Sequence, residues 1–285
     1  MNVGFVGLGI MGESMCENIV KKSGERVWVF DLNSKAVEKL VKLGAKSVSS
    51  NEELAEKCDV IISMVPKSEH VRSVYSEFLK VLTPGKLLID MSTIDPFTSR
   101  ELSKQVKEKK CLMIDAPVVK SKPAAIAGEL GIYVGGDKQA FERAKGILSC
   151  MGKNIIYMGE NGTGLVMKIC HNMLVSQIQN GVNETVTLAG KSGLNFDDVI
   201  TAISYGGGQN FYLDGKKDAI KNHDFTTAFS VENMNKDINI AVSLAEELKI
   251  DLPGAKNIQK VYAKAMESGY GKEDFSATIK VVEKK

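Results

Sequence analysis

The sequence predicts an α/β domain built on a doubly wound, mostly parallel sheet, followed by an all-α carboxy-terminal domain. Three observations carry this expectation. The first 150 residues alternate short apolar runs with amphipathic stretches, as a strand–helix repeat does. A glycine-rich turn separates the first apolar run from the first amphipathic stretch. Past Gly162 the strand-like runs disappear and long helical periodicities replace them. At 285 residues the chain is also long enough for two domains, each with its own core.

Taken in order, Val3–Val6, Arg26–Phe30, Val60–Met64, Lys86–Asp90 and Cys111–Ile114 read as strands, with helical patterns such as Gly12–Lys22 and Ser34–Leu43 between them. Nearly continuous apolar runs of this length suit a parallel sheet covered on both faces, and right-handed crossovers make it doubly wound. Helical patterns then occupy Gly164–Ser192, Phe196–Ser204 and Val231–Leu248. The changeover puts a domain boundary at Gly162, dividing the chain into 1–162 and 163–285.

The turn after the first strand reads Gly7-Leu8-Gly9-Ile10-Met11-Gly12 and opens a helix. That context makes it the phosphate loop of a dinucleotide-binding Rossmann domain. Gly7 permits the tight turn, Gly9 lets backbone approach a pyrophosphate, and Gly12 allows close helix–strand packing. Free N–H groups at the helix start then face the phosphates. Asp31, 19 residues past Gly12, ends the second strand, where a carboxylate can accept both ribose hydroxyls of NAD and repel a 2′-phosphate. NAD is therefore expected over NADP. Asn33 is not an arginine, and Lys35 is the nearest cation.

Composition removes other classes. With 37 basic against 35 acidic side chains the net charge is +2, too balanced for a nucleic-acid-binding surface. Five cysteines, odd in number and without a CxxC pair, indicate neither a disulfide framework nor zinc, and no metal is expected. His70 and His223 have no metal-like partners in the sequence. The apolar start lacks a basic n-region, and no run of ~20 apolar residues exists for a membrane span, so a cytoplasmic location and no membrane partner are expected.

Chemistry must come from outside the cofactor loop. Gly164-x-x-x-Lys168-x-x-x-Asn172 puts a glycine, an amine and a carboxamide on one helical stripe, because positions four apart share a face. The stripe is either a solvated face or a place where lysine and carboxamide meet one substrate. A desolvated lysine near a second cation, for which Lys236 is available, can take a proton from an alcohol or return it to a carbonyl. His171 lies ~100° round the helix from Asn172 and is left aside. Ser204-Tyr205-Gly206-Gly207-Gly208-Gln209-Asn210 is either a functional small-residue turn or a plain helix stop. Trp28 and Met11 suit packing positions, although Met11 also belongs to the cofactor loop.

In this order of motifs the chain resembles the β-hydroxyacid dehydrogenase family: the Gly7–Gly12 loop, Asp115-Ala116-Pro117-Val118 through Gly128, Gly164…Lys168…Asn172, and Lys236-Asp237. The resemblance implies that Lys168 is the general acid/base and that Asn172 holds the substrate. It also implies that Met64-Val65-Pro66 and Thr93 line the cofactor and that Lys236 approaches nicotinamide or substrate. Homodimers or homotetramers assembled through the helical domain are implied as well. The substrate loop departs from the pattern. Where relatives read Val-Ser-Gly-Gly, this chain has Val118-Val119-Lys120-Ser121, so the serine and both glycines are replaced.

Lys120 and Ser121 would then bind the acidic group of a small anionic substrate, a charge-assisted contact being stronger than a neutral one. The layout is similar to that of the family's sulfolactaldehyde reductases, where Gly-Arg-Thr-Ser stands and a sulfonate is received. Lys120 and Lys122 pointing into solvent is the alternative. The functional expectation is an NAD(H)-dependent interconversion of a 3-hydroxyacid-type alcohol and its semialdehyde. The competing expectations are a sulfonate substrate, an imine reductase on the same scaffold, or a non-catalytic dinucleotide binder. Imine reductases often replace the catalytic lysine, and the non-catalytic reading leaves Lys168 and Asn172 without purpose.

Overall fold

In a computed structural model describing residues 1–283, the chain forms two compact units, Met1–Lys168 and Ile169–Lys285. The first unit holds strands β1 (Asn2–Val6), β2 (Arg26–Phe30), β3 (Lys46–Ser47), β4 (Val60–Ser63), β5 (Leu87–Asp90), β6 (Leu112–Asp115), β7 (Val118–Val119), β8 (Leu130–Gly136) and β9 (Gly152–Gly159). Its helices are α1 (Gly12–Lys22), α2 (Ser34–Lys42), α3 (Asn51–Lys57), α4 (Ser68–Val81), α5 (Pro96–Glu108), α6 (Lys122–Ala127) and α7 (Lys138–Met151). The strands form one sheet in the order β3-β2-β1-β4-β5-β6-β8-β7, with β9 also paired to β8.

From β3 to β6 every pairing is parallel, with Phe5 of β1 opposite both Val29 of β2 and Ile62 of β4. The order reverses at β1 and β4, so the crevice beyond their carboxyl ends is the place where such a sheet binds ligands. Both faces are covered. Ile62 points to a core with Phe5, Met15, Ile19 and Leu40, whereas its neighbour Ile61 points to another with Leu54, Tyr75, Phe78 and Leu88. Burying each such side chain contributes about 1.5–3 kcal/mol, which is why strands this short hold together. Helix starts are set locally: Asn33 accepts the Lys35 amide, Asp95 those of Phe97 and Thr98, and Asp137 those of Gln139 and Ala140.

The doubly wound, mostly parallel sheet agrees with the expected fold class. Beyond β6 the sheet changes character: β6 and β7 pair antiparallel with β8. No strand was expected there, because β7 has two residues and β8 carries three glycines in seven.

Helix α8 (Thr163–Lys191) begins in the first unit and runs into the second, which continues with α9 (Phe196–Ser204), α10 (Phe211–Lys221), α11 (Val231–Glu247), α12 (Pro253–Glu267), a 3₁₀ turn (Phe275–Thr278) and α13 (Ile279–Glu283). The division between the units therefore lies inside a helix, beyond Gly162. The second unit is helical throughout its described residues apart from one isolated bridge between Ser230 and Asp274. Its core gathers Val182, Leu213, Val231, Ile238, Tyr262 and Phe275. The glycine run expected between helices is an exposed turn from α9 to α10, and Asn210 caps α10 by accepting the Leu213 amide.

Candidate active site

The three loop glycines do different work. Gly7 has φ +93°, and a Cβ on it would lie 2.2 Å from the Met64 carbonyl oxygen. A Cβ on Gly12 would lie 1.9 Å from the Gly7 carbonyl oxygen. Both are glycine because backbone leaves no room. Around the missing side chain of Gly9 nothing lies within 4 Å, which leaves its backbone open to a group from outside the chain. Beside it opens a cavity of about 440 Å³ walled by Leu8, Gly9, Ile10, Asn33, Lys35 and Lys122, among others. Ile10 is 62% exposed on this rim, an apolar side chain with room for a ligand to cover it. The loop geometry, the helix start at Gly12 and the cavity together fit the diphosphate and adenosine half of a dinucleotide.

Asp31 fastens this cradle. Its Oδ2 accepts the Leu8 amide at 2.6 Å and its Oδ1 accepts the Asn33 amide at 2.7 Å, tying the end of β2 to the glycine loop. A carboxylate has roughly four acceptor positions, so capacity for ribose hydroxyls is left. Met64 and Val65 stand against Gly7 at the end of β4, and the Val65 amide donates to Ser92 Oγ at 2.9 Å. Pro66 follows them, exposed, and half-buried Thr93 follows β5. Thus Gly7–Gly12, Asp31 and Met64–Val65 are brought together at the sheet's switch point.

The first turn of α8 is held by a residue that sequence reasoning used only as a motif marker. Fully buried Asp115, at the end of β6, accepts the Gly162 amide at 2.6 Å and the Leu165 amide at 2.8 Å. A Cβ on Gly135 would lie 2.7 Å from one carboxylate oxygen, and a Cβ on Gly164 2.8 Å from the other. Burial pushes the Asp115 carboxyl up to about 7, against the two amides, which favour the charged form. Lys168 follows on the same helix and is only 7% exposed. Lysine is almost never this buried for packing alone.

The substrate-loop residues occupy β7 and the turn into α6. Val119 pairs with Gly131 in the antiparallel ladder. Lys120, exposed, holds φ +77°, the left-handed conformation suited to the glycine it replaces. Ser121 stands at the amino end of α6 without capping it. Neither Lys120 nor Ser121 lines the cavity beside the glycine loop; Lys122 does.

In the second unit, Asn172 Nδ2 donates to Asp237 Oδ2 at 2.6 Å, while Lys236 Nζ lies 2.9 Å from Asp237 Oδ1. Two expected site residues are therefore joined by a carboxylate only 2% exposed. The Lys236-Asp237 dipeptide was the available signal for Asp237, but its link to Asn172 spans 65 residues. With its amino group turned to Asp237, the carboxamide of Asn172 has one orientation.

Residues 2–159 match the family model described as the NAD binding domain of 6-phosphogluconate dehydrogenase, and residues 162–282 match NAD-binding of NADP-dependent 3-hydroxyisobutyrate dehydrogenase. The chain is 36% identical to 3-hydroxyisobutyrate dehydrogenase of Pseudomonas aeruginosa, over 98% of each chain. It is 33% identical to glyoxylate/succinic semialdehyde reductase 1 of Arabidopsis thaliana, over 99% of this chain and 98% of that one. A solved structure of the Mycobacterium tuberculosis 3-hydroxyisobutyrate dehydrogenase with L-serine superposes with a TM-score of 0.93 at 31% identity, over 99% of both chains. Whole-length likeness of this kind, on top of the cradle and the buried lysine, means that the chain belongs to the β-hydroxyacid dehydrogenase family of NAD-dependent oxidoreductases acting on CH–OH groups.

Proposed function

We propose that the protein interconverts a small 3-hydroxyacid-type alcohol and its semialdehyde, with Lys168 as the general acid/base. The observation that carries this reading is a lysine 7% exposed on a helix whose first turn is locked by Asp115. A nicotinamide bound at the dinucleotide site would supply the hydride chemistry, accepting it in oxidation and donating it in reduction. In oxidation the Lys168 amine takes the hydroxyl proton as the carbonyl forms, and in reduction its ammonium returns a proton to the carbonyl oxygen. Asn172, oriented by Asp237, holds the substrate, and Lys236 attends the substrate or nicotinamide. Asp31 favours NAD over NADP through repulsion of a 2′-phosphate. In this reading residues 1–162 act as the NAD-binding domain and 163–285 as the substrate and oligomerisation domain.

Lys120 and Ser121 bind the acidic group, in the place where relatives have glycines. Lys120 supports this by keeping the left-handed backbone suited to glycine while carrying a cationic side chain, at a cost of about 1–2 kcal/mol. A sulfonate is the second candidate head group, because a lysine beside a hydroxyl suits three acceptor oxygens. The names of the relatives, which include a 3-hydroxyisobutyrate dehydrogenase and a glyoxylate/succinic semialdehyde reductase, support a short acid carrying an alcohol or aldehyde.

Lys168→Ala tests the mechanism: turnover should fall about 10²–10⁴-fold with NADH binding retained. Preserved turnover would defeat the proposed role. Glyoxylate, succinic, methylmalonic and tartronic semialdehydes and sulfolactaldehyde, each assayed with NADH and NADPH, identify the head group and the cofactor preference.

A further inference from the structure

Lys122 was read from sequence as part of the substrate loop or as a solvated lysine. The structure puts it in the wall of the cavity beside Gly9 and Ile10, on the opposite side of the chain order from Lys35 and Lys39, which also line that wall. Lys39 is ion-paired with Glu13 in the same wall, whereas Lys35 and Lys122 have no ion pair among the described residues. Three lysines against one glutamate leave the wall two positive charges in excess. A dinucleotide diphosphate carries one negative charge on each phosphate, so the excess matches it.

Lys122 is held there from behind. Helix α6, which it begins, is fastened to α1 by buried Asn18, whose Nδ2 donates to the Ala125 carbonyl at 2.7 Å and the Ile126 carbonyl at 3.3 Å. Gly128 ends α6 at φ +70°, and a Cβ there would lie 2.3 Å from Lys22 Nζ and 3.2 Å from Asn18 Oδ1. Because α1 is also the helix that opens at Gly12, the same bonds tie the last turn of α6, and through this short helix Lys122, to the helix that carries the phosphate loop. A cation in the first turn of a helix opposes the helix dipole, so Lys122 does not serve the stability of α6. A neighbouring anion would remove that penalty.

We infer that Lys122 is a cofactor-binding residue whose ammonium pairs with the diphosphate of NAD, supplied from across the fold and positioned through Asn18. The inference rests on dinucleotide binding and is independent of the role of Lys168 and of the substrate. The two lysines that flank Ser121 thereby divide their work, Lys122 toward the cofactor and Lys120 toward the substrate.

Binding of NADH, NADPH and adenosine to Lys122→Ala and Lys122→Arg, by fluorescence titration and competition, tests it without turnover. Lys122 is exposed, and thermal unfolding confirms that the variants are folded. Lys122→Ala should raise the Kd for NADH by about tenfold and make it less dependent on salt, as loss of a charge-assisted contact does. Lys122→Arg should stay within about twofold, and adenosine, which has no phosphate, should bind as before. An unchanged Kd for NADH overturns the inference. So does an equal loss of adenosine binding, which would mean a disturbed cavity, or a larger loss for NADPH than for NADH, which would mean a 2′-phosphate contact.

Discussion

At Asp115 and Lys120 single residues bear loads that their types resist. Asp115 keeps a carboxyl group out of water to hold two amides of α8, and burial raises its ordinary value of 3.8 to about 7. Between those values the unfolded chain has released the proton while the folded chain retains it, so this group's contribution to stability declines as pH rises from about 4 to about 7. The difference in unfolding temperature between wild type and Asp115→Asn should accordingly narrow across that window in a scanning calorimetry series. A constant difference would show that Asp115 does not titrate there. Lys120 has the converse problem, a side chain on a backbone suited to glycine. Lys120→Gly should leave the unfolding temperature unchanged or slightly raised, since relieving about 1–2 kcal/mol of strain offsets the entropy of glycine at about 0.5–1 kcal/mol. It should nonetheless raise KM for the acidic substrate as much as Lys120→Ala does. A KM left at the wild-type value would release Lys120 from substrate binding.

Among the elements, α8 is the one whose placement the site depends on. Its first turn is wedged between β8 and β6: a Cβ on Gly164 would lie 2.5 Å from the Tyr133 carbonyl oxygen and 2.9 Å from the Gly135 amide nitrogen. These are backbone atoms of a paired strand and cannot swing aside. Gly164→Ala should destabilise by about 1–3 kcal/mol and reduce kcat, because the turn that must shift lies next to the one carrying Lys168. Denaturant unfolding and steady-state kinetics on one preparation check both effects. Wild-type stability together with wild-type kcat would show that the helix start is tolerant. The GxxxKxxxN spacing placed glycine, lysine and asparagine on one helix correctly; the reason for the glycine is strand β8, whose Tyr133 and Gly135 lie 31 and 29 residues earlier in the chain.

At the scale of the whole molecule, the surface of α8 in the second unit offers a test of the homodimer or homotetramer that the family resemblance implies. Leu174 and Leu188 are 58% and 71% exposed on one side of this helix. Apolar side chains so exposed on a helix fit the proposed homodimer or homotetramer. Leu188→Glu should shift the mass measured by light scattering toward the 31.0 kDa monomer, and an unaltered larger mass would put the interface elsewhere. No described helix is long and apolar enough to cross a membrane.

Features under short-range physical control are legible in the amino-acid sequence. Short apolar runs marked β1, β2, β4, β5 and β6, and period-3.6 patterns marked α1, α2, α8, α9 and α11, to within a residue or two, and the glycine loop with Asp31 identified a dinucleotide site. These signals lie within a few residues of one another or follow a well-defined strand–turn–helix geometry. Links between distant parts of the chain emerge from folding. The folded chain links Asp115 to Gly162 across 47 residues, Asn172 to Asp237 across 65, and Asn18 to Ala125 across 107. None of these pairs leaves a periodicity, because each is chosen by which buried polar group would otherwise go unsatisfied once the strands have assembled. The same holds for Lys122: its neighbours in sequence suggested a substrate loop, and the packing of α6 on α1 brought it to the cofactor cavity.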